Sequence, residues 1–199
     1  MKKVFLSHVV MSSAIILATG FISSTAVAQT VFQSKAIDIS LTGTSTLHDW
    51  EMKAAEGRSQ AAFIVDATDN ITSISQLSFT LPAKSLKSEH TMMDNNTYKA
   101  LQTDKNPNIS FVLTGAAVKP LGNNNYQLSC TGKLTIAGTT KETDLIATVK
   151  YSPADKSFTV TGVKKMKMTD YNVKPPTVMM GTIKTGNDIS IAYNVRFTR

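Results

Sequence analysis

The sequence predicts an all-β fold, an antiparallel barrel or sandwich of about eight strands with at most one modest helix. Three observations carry this. Apolar and polar residues alternate through most of the chain, the period of a strand with one buried face. The alternating runs are short and punctuated by Gly, Asn, Asp and Pro, which turn a chain. The clearest run, Leu128 to Tyr151, reads as a hairpin. Leu128, Cys130, Gly132, Leu134 and Ile136 share one face, Ala137-Gly138-Thr139-Thr140 interrupts, and Thr143, Leu145, Ala147, Val149 and Tyr151 resume the pattern. Gly138 takes positive φ without a Cβ clash, as such a turn requires. Hairpin connections argue against a parallel sheet.

Residues 1–28 are expected to be a cleaved signal peptide. Lys2 and Lys3 form a basic start, Val4 to Leu17 is an apolar run too short to span a bilayer, and Ala26-Val27-Ala28 is an A-x-A cleavage site. The expected mature chain, 29–199, is one domain, with no internal repeat, low-complexity segment or linker. Its address is then periplasmic or secreted. The single cysteine, Cys130, excludes an internal disulfide and lies far from the cleavage site, against a lipoprotein anchor. On an apolar strand face it reads as a small core residue. The formal charge of +7 includes the two leader lysines. The remaining basic excess suits a mildly basic soluble protein, or one in transient contact with an anionic membrane surface. No Lys/Arg run with interleaved aromatics marks a nucleic-acid face.

In chain order, Ile37, Ile39 and Leu41 alternate with Asp38, Ser40 and Thr42. Gly43 to Asp49 is a break, and Trp50, Met52 and Ala54 form a second strand. After Glu56-Gly57-Arg58, Phe63 and Val65 face one way. Asp69-Asn70 turns the chain into a long fourth strand with Ile71, Ser73, Ser75, Leu77, Phe79 and Leu81 on one side, ended by Pro82. The helical stretch lies between Lys87 and Thr103, where Met92, Met93, Tyr98, Ala100 and Leu101 gather to one side and Asn106-Pro107-Asn108 is the stop. Ile109, Phe111 and Leu113 resume strand alternation before the Leu121 to Asn125 turn and the hairpin. Phe158, Val160, Gly162, Met166 and Met168 then share a face, with Lys164 the exception. A loop holding Pro175, Pro176 and Gly181 precedes a last strand of Ile189, Ile191, Tyr193, Val195 and Phe197.

A barrel of about eight strands either fills itself with side chains or holds one small ligand. The inward face mixes small residues (Ser73, Ser75, Gly132, Ala147, Gly162) with large ones. Small residues opposite one another leave volume for an apolar ligand, or the two sizes alternate to fill a taper; periodicity does not choose. Met92, Met93, Met166, Met168, Met179 and Met180 fit an irregular apolar ligand and plain packing equally. His48 and Asp49 are the most enzyme-like pair, but adjacent strand residues point to opposite faces. A turn-stabilising His48-Asp49-Trp50 cap at the barrel mouth accounts for them better. With only His48 and His90 left after leader removal, and no H-x-H or H-x-x-x-H spacing, no metal or other cofactor is expected. There is no G-x-S-x-G elbow and no clear Ser-His-Asp order, so the chain does not read as an enzyme.

Gly43 to Trp50, Leu81 to Phe111 and Leu134 to Lys141 are three segments that resemble the YceI-like family of small lipid-binding β-barrels. Gly43-Thr44-Ser45-Thr46-Leu47-His48-Asp49-Trp50 is similar to an STLHDW form of the family's first block, in place of the commoner FxVxH form. Leu81-Pro82-Ala83-Lys84-Ser85-Leu86, continuing through Met93-Asp94 and Ala100-Leu101 to Pro107-Asn108-Ile109-Ser110-Phe111, is the second. Leu134 to Lys141, LTIAGTTK, is the third, and Asp170-Tyr171, Pro175-Pro176-Thr177, Gly181-Thr182-Ile183 and Asp188-Ile189-Ser190-Ile191 match the family's C-terminal pattern. The resemblance implies an elongated antiparallel barrel of lipocalin-like shape with a short helix as lid. It implies an exported protein holding a polyisoprenoid or other long-chain lipid, such as a quinone tail.

The leading expectation is therefore an exported carrier or store for an apolar chain. Strand parity puts Trp50, Met52, Phe63, Phe79, Phe111, Leu145, Phe158 and Tyr193 on the lining, with Met93 from the lid. The rival is a secreted interaction or structural barrel with a filled core, told apart by cavity volume. No nucleic-acid partner is expected, and a homodimer is left open.

Overall fold

The computed structural model describes residues 31–68 and 70–199. The expected leader lies outside the described residues, as does Asp69 of the expected Asp69-Asn70 turn. The described chain runs β1 (Val31–Ser45), β2 (Trp50–Ala54), β3 (Arg58–Val65), β4 (Ile71–Pro82), α1 (Thr91–Leu101), β5 (Asn108–Gly122), β6 (Asn125–Ile136), β7 (Thr139–Ser152), β8 (Ser157–Lys167), β9 (Thr177–Val178) and β10 (Ile183–Thr198). Strands β1, β3, β4, β5, β6, β7, β8 and β10 pair in that order, all antiparallel, and β10 pairs back onto β1. The sheet is a closed eight-stranded barrel. β2 takes up the edge of β1 where β3 leaves it: β3 pairs with Val31–Gln33, and β2 with Ile39–Gly43. β9 is a two-residue ladder on β10. Closure makes the inward parity of each strand a common core.

The expected faces hold on most strands. Leu128, Cys130, Leu134 and Ile136 on β6 are buried, as are Ala147, Val149 and Tyr151 on β7. The β6–β7 turn is tighter than the expected four-residue break. Only Ala137 (φ 48°) and Gly138 (φ 77°) leave the ladder, and Thr139 pairs with Ile136. Two positive-φ residues give a turn whose twist matches the strands.

Strand β4 departs from simple alternation. Ala62 pairs with Gln76 but Phe63 pairs with Ile74, so a bulge takes up Ser75 and turns it outward. Ile74 is buried in place of the serines expected there. One extra residue reverses inward and outward positions on either side of the bulge, which single-strand periodicity does not detect.

Helix α1 falls within the expected stretch but stops at Leu101, before Asn106-Pro107-Asn108. Gln102 adopts the left-handed conformation (φ 52°, ψ 48°), and the Thr103 N–H donates to the Tyr98 carbonyl at 3.1 Å. That closure ends a helix without proline. Tyr98 does not join the helix's inner face. Its hydroxyl lies 2.9 Å from the Lys84 carbonyl and 2.8 Å from that of Leu86, sharing one proton between them and tying α1 to the turn after β4.

The end of the barrel away from α1 is plugged by aromatic rings. Phe158 stacks on Phe63 (centroids 4.0 Å apart) and Tyr151 (4.7 Å), and Phe32 meets Phe158 edge-on at 4.7 Å. Phe197 packs edge-on against Phe63 at 5.8 Å. Offset and edge contacts add to the area these rings bury.

Candidate functional site

Two adjoining chambers lie in the barrel between plug and helix. The inner one, about 170 Å³, is bounded by Phe63, Leu77, Phe79, Phe111, Leu145 and Tyr193 among others. The outer one, about 330 Å³, lies under α1 and is bounded by Trp50, Met52, Met93, Ala100, Met168 and Ile183 among others. Leu41, Leu86, Ile109, Ile136, Met166 and Ile191 face both, and form a neck. Together the volumes fall within the range of about 300–1,000 Å³ typical of small-molecule sites.

The space does not come from the small residues. A Cβ on Gly132 would lie 2.3 Å from the Phe111 ring, and one on Gly162 would lie 2.2 Å from the Tyr193 hydroxyl. Both glycines are filled over by large side chains. The β7–β8 ladder stops at Ala147↔Gly162. Beyond it the chain after β8 tucks in, with Tyr171 and Val173 buried. Tyr193 crosses Gly162 to donate to the Ile146 carbonyl at 3.1 Å, and Lys164, the exception on its face, donates to the Asp144 carbonyl at 2.8 Å. These two side chains supply donors where β8 no longer does.

The inner wall therefore offers almost nothing to a polar molecule. Its polar side chains are Ser59, Lys164 and Tyr193, and each is already engaged, Ser59 with the Ser78 carbonyl at 2.8 Å. Burial pushes the Tyr193 phenol up to about 12, and it pushes the Cys130 thiol up to about 11, so neither ionises near neutrality. The outer chamber is apolar at depth and polar at its mouth, where Ser45, His48, His90 and Asn96 lie. His48 and Asp49 are exposed and form the mouth turn. The Ser45 hydroxyl accepts the His48 N–H and donates to the His48 carbonyl at 2.7 Å, His48 Nδ1 lies 2.6 Å from the Asp49 carbonyl, and Trp50 Nε1–H donates to the Thr44 carbonyl at 2.9 Å. Among the described residues no group of three or more His, Cys, Asp or Glu is placed to hold a metal ion.

Of the nine residues expected on the lining, Trp50, Met52 and Met93 lie on the outer wall, and Phe63, Phe79, Phe111, Leu145 and Tyr193 on the inner. Phe158 faces inward as expected but belongs to the plug, fully buried, and touches neither chamber. Met92, Met93, Met166 and Met168 line the outer chamber, whereas Met179 and Met180 do not. Sequence reasoning missed Tyr171, Val173, Pro176, Val178 and Ile183 on the outer wall, because prolines marked their segment as a loop. Its apolar content was the available signal.

Asp94 fastens the lid. It is buried in the first turn of α1, accepts the Ser88 N–H at 2.7 Å and the Ser88 hydroxyl at 2.8 Å, and pairs with Lys87 at 3.7 Å. Burial alone would raise its carboxyl; the Ser88 hydrogen bonds and the Lys87 charge outweigh it and hold the group below its usual value. A depressed folded pKa contributes stability above the unfolded value, about 3.9, which is lost as pH falls through the folded value. Hydrogen exchange should therefore show α1 losing protection relative to the strands below about pH 4, and Asp94→Asn should remove that pH dependence. Equal protection of helix and strands across this range would contradict the assignment.

Among the described residues no helix is long and apolar enough to cross a membrane. The sequence pattern of the YceI-like domain family matches residues 25–197. No protein with a curated description matches the chain. Among solved structures, BcnA of Burkholderia cenocepacia superposes with a TM-score of 0.62 at 20% identity, covering 80% of this chain and 95% of its own. A polyisoprenoid-binding domain from Saccharophagus degradans, implicated in plant cell wall breakdown, superposes at 0.61 with 10% identity, covering 84% and 97%. The YceI protein of Campylobacter jejuni superposes at 0.52 with 21% identity, covering 69% and 79%. At these identities the likeness is one of fold.

Proposed function

The chain belongs to the YceI-like family, and from that premise we propose that it is an exported carrier or store for an apolar chain, a polyisoprenoid lipid or quinone tail held in the barrel. One observation carries the reading: two adjoining chambers with six wall residues in common, the deep one apolar and with its few polar groups already bonded within the protein. The Saccharophagus degradans domain, described as polyisoprenoid-binding, supports the choice of ligand class. The unfilled volume weighs against a barrel that only packs its own core. The polar mouth suits a headgroup left near water. Trp50, Met52 and Met93 in the outer chamber, with Phe63, Phe79, Phe111, Leu145 and Tyr193 in the inner, are the proposed contacts. Export rests on the residue 1–28 pattern and is part of the proposal.

Each isoprenoid unit brings five carbons, so its burial is worth at most about 4 kcal/mol at ~0.8 per carbon. Two or three units, at most about 8–12 kcal/mol, offset all but the upper part of an association cost of about 4–15 kcal/mol. Affinity should thus rise with chain length until the lumen is full. Trp50, the chain's one tryptophan, lines the outer chamber and provides the readout. Titrating delipidated protein with prenols of one to eight units should tighten Kd by about tenfold or more per unit over the first few, then level off. An affinity independent of length would overturn the proposal.

A further inference from the structure

Where the lumen opens, large apolar side chains stand in water. Leu47, on the mouth turn, and Met92, in the first turn of α1, are 65% and 72% exposed although both border the outer chamber. Beside the mouth turn, the chain between Val178 and Ile183 makes a tight projection. Met179 (φ 51°), Met180 (φ 55°) and Gly181 (φ 88°) all have positive φ, and the two methionine side chains point outward, Met180 fully exposed. Left-handed backbone at two successive methionines is unfavourable and persists only where its surroundings hold it.

Here they do. The Thr46 N–H donates to the Lys184 carbonyl at 3.0 Å, the Lys184 N–H donates to Thr46 Oγ1 at 3.1 Å, and Thr46 Oγ1 donates to the Thr182 carbonyl at 3.3 Å. Leu47 and the methionine pair therefore sit on one stitched lip. Scattered exposed apolar residues need no explanation, but a group from three separate elements around one opening does. Residues 171–187, which carry the methionine side of this lip, contain two lysines, Lys174 and Lys184, and no carboxylate. The flanking Asp188 is occupied by Lys167 at 2.6 Å, and Asp170 by the Lys167 N–H at 2.9 Å.

We propose that this lip is a membrane-docking surface: Met179 and Met180 enter the interface of a bilayer with anionic headgroups, Lys174 and Lys184 meet those headgroups, and the lumen mouth is held against the lipid. Apolar insertion flanked by cations is how a protein rests on a bilayer without spanning it. The inference rests on the carrier reading for its purpose, since a chain passing from bilayer to lumen at a docked mouth need not cross water. Met179, Met180, Lys174 and Lys184 are not part of the lumen wall, so docking and cargo can be tested apart.

The test is flotation of the processed protein, isolated from cells expressing the full 199-residue chain, with vesicles of phosphatidylethanolamine and phosphatidylglycerol. Wild type should float. Met179→Asn/Met180→Asn, with residues that tolerate left-handed backbone, should lower vesicle partitioning by about tenfold or more. Lys174→Gln and Lys184→Gln should each lower it about fivefold on anionic vesicles and reduce its salt dependence. Wild-type protein that stays unbound, or a methionine variant that floats equally, overturns the proposal. So does sedimentation showing that the pair instead joins two copies, with vesicle binding unaffected. Native mass spectrometry of the same samples separates the two claims, because an empty lumen in a protein that floats would remove the cargo and leave the lip.

Discussion

Ile191→Trp is expected to weaken retention of a long-chain lipid at least about 100-fold while the barrel still folds. Ile191 lies on the neck, paired with Leu41 of β1 on one side and Lys164 of β8 on the other, and faces both chambers. Overpacking a filled core costs about 1–3 kcal/mol. Here the added ring has a void on either side to enter, so the cost should fall at or below the bottom of that range. A blocked neck confines a ligand to the outer chamber and removes the contacts of one or more isoprenoid units. That should weaken binding at least about 100-fold for chains long enough to reach the inner chamber. Short prenols that need only the outer chamber should be far less affected. Leu41→Trp, from the adjacent strand, should do the same. Full-length ligand retained at wild-type affinity by both variants would show that the chambers are not one path.

Phe158→Ala is expected to act in the opposite way, on stability and not on cargo. The ring is fully buried between Phe63 and Tyr151, and truncating such a residue typically costs about 3–5 kcal/mol. For a domain of this size that lowers Tm by roughly 6–20 °C. Because Phe158 reaches neither chamber, the affinity for a prenol should stay within about threefold of wild type. A variant of unchanged stability that no longer held the ligand would return Phe158 to the wall.

The contrast between these residues shows what the sequence could and could not disclose. Phe158 and Tyr193 have the same parity on neighbouring strands, and both were legible as inward-facing. Alternation reports the face a side chain takes; it does not report depth along the barrel axis, which decides between plug and wall. The hairpin at Ala137-Gly138 was legible because its turn is local. The bulge at Ser75 was not, because it depends on how β3 and β4 register. Periodicity left Gly132 and Gly162 open between ligand space and taper-filling; they are passages for Phe111 and Tyr193, a relation between strands that one strand's pattern cannot carry. The outer wall from Tyr171 to Ile183 was hidden for a related reason. Its residues keep to no single period, and tertiary packing alone brings them over the mouth.

The central claim, an apolar chain held in the lumen, is tested most directly by native mass spectrometry of the protein purified from its own host, with solvent extraction of the same sample. The account predicts protein carrying a bound mass that leaves on extraction and proves to be a polyprenyl compound, and predicts that Ile191→Trp comes out empty. A wild-type barrel that is empty as isolated, and that takes up neither added polyprenyl lipid nor quinone, would contradict it.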